Sequence, residues 1–119
     1  MSNNYFTTPI YYVNDIPHVG HAYTSIACDA LSRFFRLKGQ RVFFLTGTDE
    51  HGLKIQQVTK DKDIEPQDFV DQMSANFQNL TKTLNLSNDD FIRTTSERHT
   101  ISVRAVSYTH LTLPTRIFV

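Results

Sequence analysis

The chain has a single cysteine, no excess of charge of either sign and no long apolar run, and each absence narrows the class of protein. Cys28 cannot form an internal disulfide and lacks the paired spacing of a zinc site, so we expect a reducing, cytoplasmic setting and no zinc. No apolar stretch approaches the ~20 residues that cross a bilayer. The first residues also lack a basic segment followed by an apolar core, so neither a membrane span nor a signal peptide is expected.

The balance of charge bears on nucleic-acid binding. The 12 basic and 12 acidic residues cancel, whereas a surface that binds nucleic acid through its phosphates should be clearly basic. Hydrophobic residues make up 39% of the chain and charged residues 20%, as in ordinary globular proteins. The 119 residues can hold one small domain or part of a larger one.

Two apolar segments on either side of a helical pattern predict a strand–helix–strand unit. Residues 5–13 (YFTTPIYYV) are aromatic and β-branched, as in a buried strand, although Pro9 should end or bulge the pairing. From His21 a helical pattern begins. Its apolar stripe comprises Ala22, Ile26, Ala30, Phe34 and Leu37. Residues 41–46 (RVFFLT) predict a second strand, parallel to the first because a helix connects them.

The remaining pattern predicts two more helices and a brief strand. A short helix should run to about Lys60, with residues 60–63 as a solvated link, and Pro66 should open an amphipathic helix. One face of that helix carries Phe69, Met73, Phe77, Leu80 and Leu84. Residues 89–94 (DDFIRT) predict the brief strand. An open α/β sheet usually has about five strands, so the predicted fold class is α/β with an incomplete, Rossmann-like parallel sheet and flanking helices.

The pattern His18-Val19-Gly20-His21 falls where the first strand gives way to the helix. Ligands of open α/β sheets bind at the carboxyl ends of strands, and a helix N-terminus favours phosphate. Gly20 would let a ligand approach the backbone closely, and the rings of His18 and His21 could donate N–H groups to a phosphate that gains charge during attack. The alternative is two surface histidines beside a turn glycine, and the combined pattern favours the functional interpretation.

Three segments resemble one family. Residues 8–14 (TPIYYVN) followed by 17–21 (PHVGH) resemble the first signature of class I aminoacyl-tRNA synthetases, and more narrowly of the methionyl-tRNA synthetases. Residues 44–52 (FLTGTDEHG) are similar to the next strand and loop of that family, and residues 91–95 (FIRTT) also fit it. The resemblance covers about residues 5–104.

The resemblance implies a methionine–tRNA ligase, which activates methionine with ATP to methionyl-adenylate, releases pyrophosphate and transfers the methionyl group to tRNA. ATP, accompanied by Mg²⁺, would be a substrate. The implied catalytic residues are His18 and His21, which with Gly20 would also bind ATP. The implied methionine-binding residues are Ile10, Tyr12 and Asp49. The implied fold is the first part of the class I synthetase catalytic domain.

The residues themselves leave alternatives open for two of these roles. A carboxylate at the end of a strand suits an ammonium group, but Asp49 could equally cap a helix that starts near His51. A tyrosine in a strand is most often core packing, although an aromatic wall also suits a thioether, so Tyr12 is assigned to the pocket by the resemblance. Glu50 and His51 are candidates for supporting partners of the site rather than for catalysis.

The sequence also departs from the family. The 119 residues contain no lysine-bearing KMSKS loop, no cysteine pair for the zinc-binding insertion and no anticodon-binding domain. We therefore expect residues 1–104 to be the amino-terminal part of the catalytic nucleotide-binding domain, inactive alone and not basic enough to be the main tRNA-binding surface. Residues 105–119 (AVSYTHLTLPTRIFV) do not resemble the family and are expected to be an artefactual tail. Alternatively, residues 108–113 form a natural divergent strand.

Two other functions remain possible from the sequence. A truncated, non-catalytic module could retain binding of methionine or nucleotide. A small adenylyltransferase could use His-x-Gly-His with another acceptor, although the segment around Asp49 argues against it.

Overall fold

The structure, a computed structural model, describes residues 2–14 and 16–112. The described residues form one sheet of strands β1 (Asn3–Thr7), β2 (Tyr11–Tyr12), β3 (Arg41–Asp49) and β4 (Asp90–Arg93). The helices are α1 (Val19–Leu37), α2 (Leu53–Lys62), α3 (Pro66–Thr83) and α4 (Glu97–Val106), followed by a π-helical segment (Ser107–Thr112).

Strand β3 lies at the centre of a small, open, parallel sheet. Leu45 pairs with Thr7 of β1 and with Asp90 of β4, so β1 and β4 lie on opposite edges of β3. Further along β3, Thr48 pairs with Tyr11 of β2, again on the edge away from β4. Strands β1 and β2 are therefore two parts of one interrupted edge. The predicted α/β class with a parallel sheet and flanking helices is confirmed.

The interruption between β1 and β2 falls at Pro9, as the sequence predicts. Thr8 still follows β3, because its backbone N–H donates to the carbonyl of Leu45 at 3.1 Å. The buried hydroxyl of Thr8 also forms a 2.7 Å hydrogen bond with that of Thr46. The proline thus removes a backbone donor without displacing the edge from the sheet.

Helix α1 begins earlier than predicted and buries a different face. It starts at Val19 rather than at His21. The side chains that it buries are Ser25, Asp29 and Ser32. Much of the predicted apolar stripe is exposed, with Ile26 49%, Phe34 53% and Leu37 88% accessible. The buried polar face is held by hydrogen bonds, such as those from the backbone and hydroxyl of Ser87 to the carboxylate of Asp29 at 2.7 and 2.5 Å.

The core lies between the sheet and α2 and α3. Its buried side chains are Tyr11, Val13, Ile55, Phe69, Val70 and Phe77. Phe69 and Phe77 are two of the positions predicted for the apolar face of α3. Helix α2 extends to Lys62, so most of the predicted link is helical, and β4 lies within the predicted range 89–94.

The described residues beyond α4, residues 107–112, do not form the alternative strand. Residues 107–112 are π-helical, so the strand is wrong for 108–112, while its last residue, Leu113, lies outside the described residues. Residues 113–119 of the predicted artefactual tail also lie outside them, as does Asp15. The boundary after residue 104 stays a prediction.

Candidate active site

The candidate site lies where β2 and β3 end and α1 begins. Tyr12 and Asp49, the last residues of the two strands, are paired neighbours in the parallel register, so their side chains leave the same face of the sheet. The backbone N–H of Val13 continues the pairing by donating to the carbonyl of Asp49 at 3.3 Å. Ligands of open α/β sheets bind at such carboxyl ends.

The two histidines of the His-x-Gly-His pattern form the N-terminal cap of α1. His18 is the capping residue, and its Nδ1 accepts a hydrogen bond from the backbone N–H of Gly20 at 3.0 Å. The Nδ1 of His21 accepts from the backbone N–H of His18 at 3.0 Å, which completes a reciprocal capping box. The two rings stack with centroids 3.8 Å apart.

This capping arrangement determines which nitrogen of each ring can serve a ligand. Since the Nδ1 atoms of His18 and His21 both accept backbone N–H groups, each neutral ring carries its proton on Nε2. Both Nε2–H donors are left outside the capping box, at the helix end whose dipole favours an anion.

The protonation of His21 is shifted towards the neutral form. Burial lowers the pKa of His21 below its ordinary value of 6.5, and the neighbouring His18 lowers it further. The ring of His21 also meets the rings of Tyr11 and Phe77 edge-on, with both centroid distances at 5.0 Å. A neutral His21 is a hydrogen-bond donor through Nε2 and still an acceptor through Nδ1.

Gly20 makes room for His18. A Cβ atom at Gly20 would lie 2.9 Å from Cε1 and 3.1 Å from Nδ1 of the His18 ring. A side chain there would push the ring away from the backbone N–H that it caps. The predicted contact of Gly20 with ATP stays a prediction, and the structure adds this second reason for glycine.

Asp49 does not cap a helix. Helix α2 begins at Leu53 after Gly52, which makes no side-chain capping hydrogen bond. The Oδ1 atom of Asp49 instead accepts from the backbone N–H of His51 at 3.3 Å, inside the loop between β3 and α2. The alternative interpretation of Asp49 as a helix cap is therefore wrong. Its Oδ2 accepts no hydrogen bond from the described residues, so one oxygen remains available to a ligand.

Tyr12 rests against the loop that follows Asp49. A Cβ atom at Gly52 would lie 2.2 Å from the phenol oxygen of Tyr12, so only glycine permits this contact. Gly52 also has a φ of +140°, which other residues rarely adopt. Ile10, the third predicted methionine-binding residue, is 45% exposed in the segment between β1 and β2. The structure brings Tyr12 and Asp49 together as paired neighbours, and Tyr11, the residue before Tyr12, contacts the ring of His21 at the start of α1.

A buried ion pair next to Asp49 fixes the same loop. The side chain of Glu50 is 0% exposed and forms an ion pair with Arg93 at 2.6 Å. Both Nε and Nη2 of Arg93 donate to the carboxylate, and the hydroxyls of Thr48 and Thr95 donate to it at 2.8 and 3.0 Å. Hydrogen bonding to Glu50 raises the pKa of Arg93, so the guanidinium stays charged. Glu50 therefore fixes the backbone next to Asp49, and its role as a supporting partner of the site stays a prediction.

Arg93 was missed as a functional residue by the sequence reasoning. It also forms a 2.5 Å ion pair with Asp71 of α3, and its hydrogen bond lowers the pKa of Asp71. The available signal was a charged residue at the end of each of two neighbouring strands, Glu50 after β3 and Arg93 in β4. Carboxyl ends of parallel strands lie side by side, so opposite charges there can pair.

A separate cavity of about 170 Å³ lies between the β3–α2 loop and α3. Its lining residues are Glu50, His51, Gly52, Ile55, Gln56, Pro66, Gln67, Val70 and Thr95. They include neither the histidine pair nor Asp49, and the volume is smaller than the ~300–1,000 Å³ of ordinary ligand pockets. The cavity is therefore not the candidate site.

Residues 2–14 and 16–112 contain neither a metal-binding cluster nor a membrane span. No group of three or more His, Cys, Asp or Glu side chains in this part of the chain could hold a metal ion. No helix there is long and apolar enough to cross a membrane.

Comparison with solved structures gives close matches. Mycobacterium tuberculosis methionyl-tRNA synthetase in complex with methionyl-adenylate superposes with a TM-score of 0.87 at 44% identity, over 91% of this chain and 21% of that one. A second structure of the same enzyme bound by methionyl-adenylate gives the same TM-score of 0.87 over 90% of this chain.

Sequence comparison finds curated relatives and a family. The methionine–tRNA ligase of Rickettsia bellii is 61% identical over 100 residues, and that of Listeria monocytogenes is 55% identical over 102 residues. These matches cover 83% and 86% of this chain but only 20% and 15% of the relatives, so the chain spans about a fifth or less of their length. The family of class I tRNA synthetases (M) matches residues 4–116. The chain therefore belongs to the methionyl group of class I tRNA synthetases.

Proposed function

We propose that this chain carries the methionine- and phosphate-binding part of a methionine–tRNA ligase. The observation that supports it most is that Tyr12 pairs with Asp49 where β2 and β3 end, while Tyr11, the residue before Tyr12, contacts the ring of His21 at the start of α1. The chain that carries this arrangement is a member of the family. The proposed reaction joins methionine to ATP as methionyl-adenylate and then transfers the methionyl group to tRNA.

Methionine binds through its ammonium group to the carboxylate of Asp49. The Oδ2 atom is available for a charge-assisted hydrogen bond, and Oδ1 is already fixed by the backbone of His51. The ring of Tyr12, held against Gly52, and the exposed side chain of Ile10 line the thioether side chain. Aromatic edges contact thioether sulfur favourably, so this wall suits methionine.

ATP binds with its phosphates at the N-terminus of α1. The Nε2–H groups of His18 and His21 donate to the phosphate oxygens, and the helix dipole adds to the attraction. Gly20 lets the nucleotide approach the first turn. Mg²⁺ enters with ATP as part of the substrate, since it is usually held by phosphate oxygens and water with few protein ligands.

The chemistry needs no protein nucleophile. A carboxylate oxygen of methionine attacks the α-phosphorus, the new O–P bond forms, and the bond to the β-phosphate oxygen breaks with release of pyrophosphate. The two imidazole donors stabilise the negative charge that develops on the phosphate oxygens. A ribose hydroxyl of the terminal adenosine of tRNA then attacks the methionyl carbonyl, and AMP leaves.

The remaining partners are proposed from the family. The balanced charge of this chain favours a main tRNA-binding surface outside these residues, and a cytoplasmic location accords with its single cysteine.

The chain alone is inactive on this account, because it spans only 15–20% of the relatives' length and contains no KMSKS loop. A second candidate, residual binding of methionine or nucleotide without catalysis, is favoured by the intact Tyr12–Asp49 pair and histidine cap.

A chimeric enzyme tests the proposed function. The 100 residues of the Rickettsia bellii ligase that match this chain are replaced by their counterparts from this chain, and methionine-dependent ATP–pyrophosphate exchange is measured. We expect exchange by the chimera and none by the 119-residue chain alone. A folded chimera without exchange contradicts the proposed function, and exchange by the isolated chain contradicts its inactivity.

A further inference from the structure

A buried tyrosine links the sheet to the first turn of α1. Tyr11 is 6% exposed, and its phenol hydroxyl hydrogen-bonds the hydroxyl of Ser25 and the carbonyl of His21, the latter at 3.4 Å. The hydroxyl of Ser25 donates to the same carbonyl at 2.9 Å. The backbone of His21 is thus attached to β2 through one tyrosine side chain.

Aromatic rings also surround the side chain of His21. The ring of Tyr11 meets it edge-on at 5.0 Å, the ring of Phe77 from α3 meets it edge-on at 5.0 Å, and His18 stacks on it at 3.8 Å. Tyr11 and Phe77 stack on each other with centroids 5.4 Å apart. Three rings from three parts of the fold therefore restrict the rotation of one imidazole.

This restriction matters because His21 has two distinct nitrogens. Its Nδ1 faces the backbone N–H of His18, and a ring that turned over would lose this hydrogen bond and point its donor away from the helix end. The titratable groups that face His21 are His18 and the phenol of Tyr11, while α3 contributes the apolar Phe77. A role in packing alone would require only apolar neighbours. Here the rings of Tyr11 and Phe77 also fix the direction of the Nε2–H donor of His21.

We propose that Tyr11, together with Phe77, is a positioning residue for His21 that holds the imidazole with Nδ1 towards the helix backbone and Nε2–H towards the bound phosphate. The role of the phosphate rests on the proposed function. The orientation of the ring does not, so the two can be tested separately.

The test is nuclear magnetic resonance of the ring nitrogens of His21 in the full chain, followed from pH 5 to pH 8. In the wild type we expect a neutral ring protonated on Nε2, with a titration midpoint below 6.5 because burial and His18 oppose its charge. In Tyr11→Leu the midpoint should rise towards 6.5, and the nitrogen shifts should approach those of a ring that exchanges tautomers. Tyr11→Phe keeps the aromatic ring, so its His21 should have the same tautomer as in the wild type.

Tyr23→Leu is the matched control, because Tyr23 lies on α1 with 77% of its surface exposed. It should leave the His21 signals unchanged. If Tyr11→Leu does not give a dispersed amide spectrum, Phe77→Leu removes the other ring and should likewise raise the His21 midpoint towards 6.5. Wild-type His21 signals in a folded Phe77→Leu variant would then overturn the proposal. A wild-type His21 protonated on Nδ1, or a folded Tyr11→Leu variant with wild-type nitrogen shifts, overturns the proposal. An inactive chimera with the expected His21 signals overturns the proposed function alone.

Discussion

The guanidinium of Arg93 binds the carboxylate of Glu50 with two of its nitrogens, and the Glu50 side chain has no exposed surface. Glu50 directly follows Asp49, so the ion pair fixes the backbone next to the carboxylate that is proposed to bind the ammonium group of methionine. A buried charge that loses its partner is strongly destabilising, because the remaining charge is neither hydrated nor neutralised.

Replacing Arg93 should therefore destabilise the chain severely. We expect Arg93→Met to lower the free energy of unfolding by about 3–5 kcal/mol, measured by urea denaturation at pH 7. Arg98→Met is the control, since Arg98 pairs with Asp90 while its side chain is 57% exposed, and exposed pairs contribute about 0–1 kcal/mol. Equal losses for the two variants would contradict the special role of the buried pair.

The pH dependence of stability should contain a contribution from His21. Its folded pKa lies below the unfolded value of 6.5, so the unfolded state binds more protons as the pH falls. The corresponding stability is present above pH 6.5 and is lost as the pH falls through the folded pKa. Protonation would also place a hydrogen on Nδ1, which now accepts from the backbone of His18.

His21→Gln measures this contribution. Glutamine at the third helical position can complete a capping box without titrating. We expect its free energy of unfolding to change less between pH 7 and pH 5 than that of the wild type. His110→Gln, at an exposed position after α4, should keep the wild-type pH dependence. The same pH dependence in all three proteins would show that His21 is not the responsible group.

Gly52→Ala should disturb the methionine pocket. The added Cβ would lie 2.2 Å from the phenol oxygen of Tyr12, so the tyrosine must move. In the chimera we expect a higher KM for methionine and a loss of stability of about 1–3 kcal/mol from the unfavourable backbone conformation. Gly39→Ala is a close control, because Gly39 also has a positive φ of +77° but a Cβ atom added there would meet no other atom within 4 Å. An unchanged KM for methionine in Gly52→Ala would argue against a binding role for Tyr12.

The charge of Asp49 should determine affinity for methionine. A hydrogen bond to a charged group contributes about 1.5–3 kcal/mol, so Asp49→Asn in the chimera should raise the KM for methionine roughly 10–100-fold. Asparagine can still accept from the backbone of His51, which keeps the loop intact. The KM for ATP should change little. A larger effect on ATP than on methionine would contradict the proposed assignment.

Local chemistry in the sequence predicted much of the fold. Three features are determined by residues close in sequence, and the structure contains all three. They are the interruption of the edge strand at Pro9, the apolar strand that begins at Arg41 and the start of α3 at Pro66. The sequence predicts the start of α1 at His21, where the helical pattern begins. The reciprocal hydrogen bonds of His18 and His21 show why the helix begins earlier.

Features that depend on distant residues could not be predicted in the same way. The buried polar face of α1 depends on the hydrogen bonds between Asp29 and Ser87, which are 58 residues apart. The pairing of Glu50 with Arg93 requires β3 and β4 to be neighbours. The orientation of His21 depends on Phe77 of α3. In each case the periodicity of one segment contains no information about its partner.

On the proposed function, methionine and the phosphates of ATP bind side by side where β2 and β3 end and α1 begins. The most direct measurement is a titration of the isotopically labelled chain with methionine and then with MgATP, followed by nuclear magnetic resonance. We predict that methionine shifts signals of Tyr12 and Asp49, and that MgATP shifts signals of His18 and His21. No shifts in a folded chain, or shifts confined to a distant surface such as that around Arg33 and Arg36, would contradict the claim.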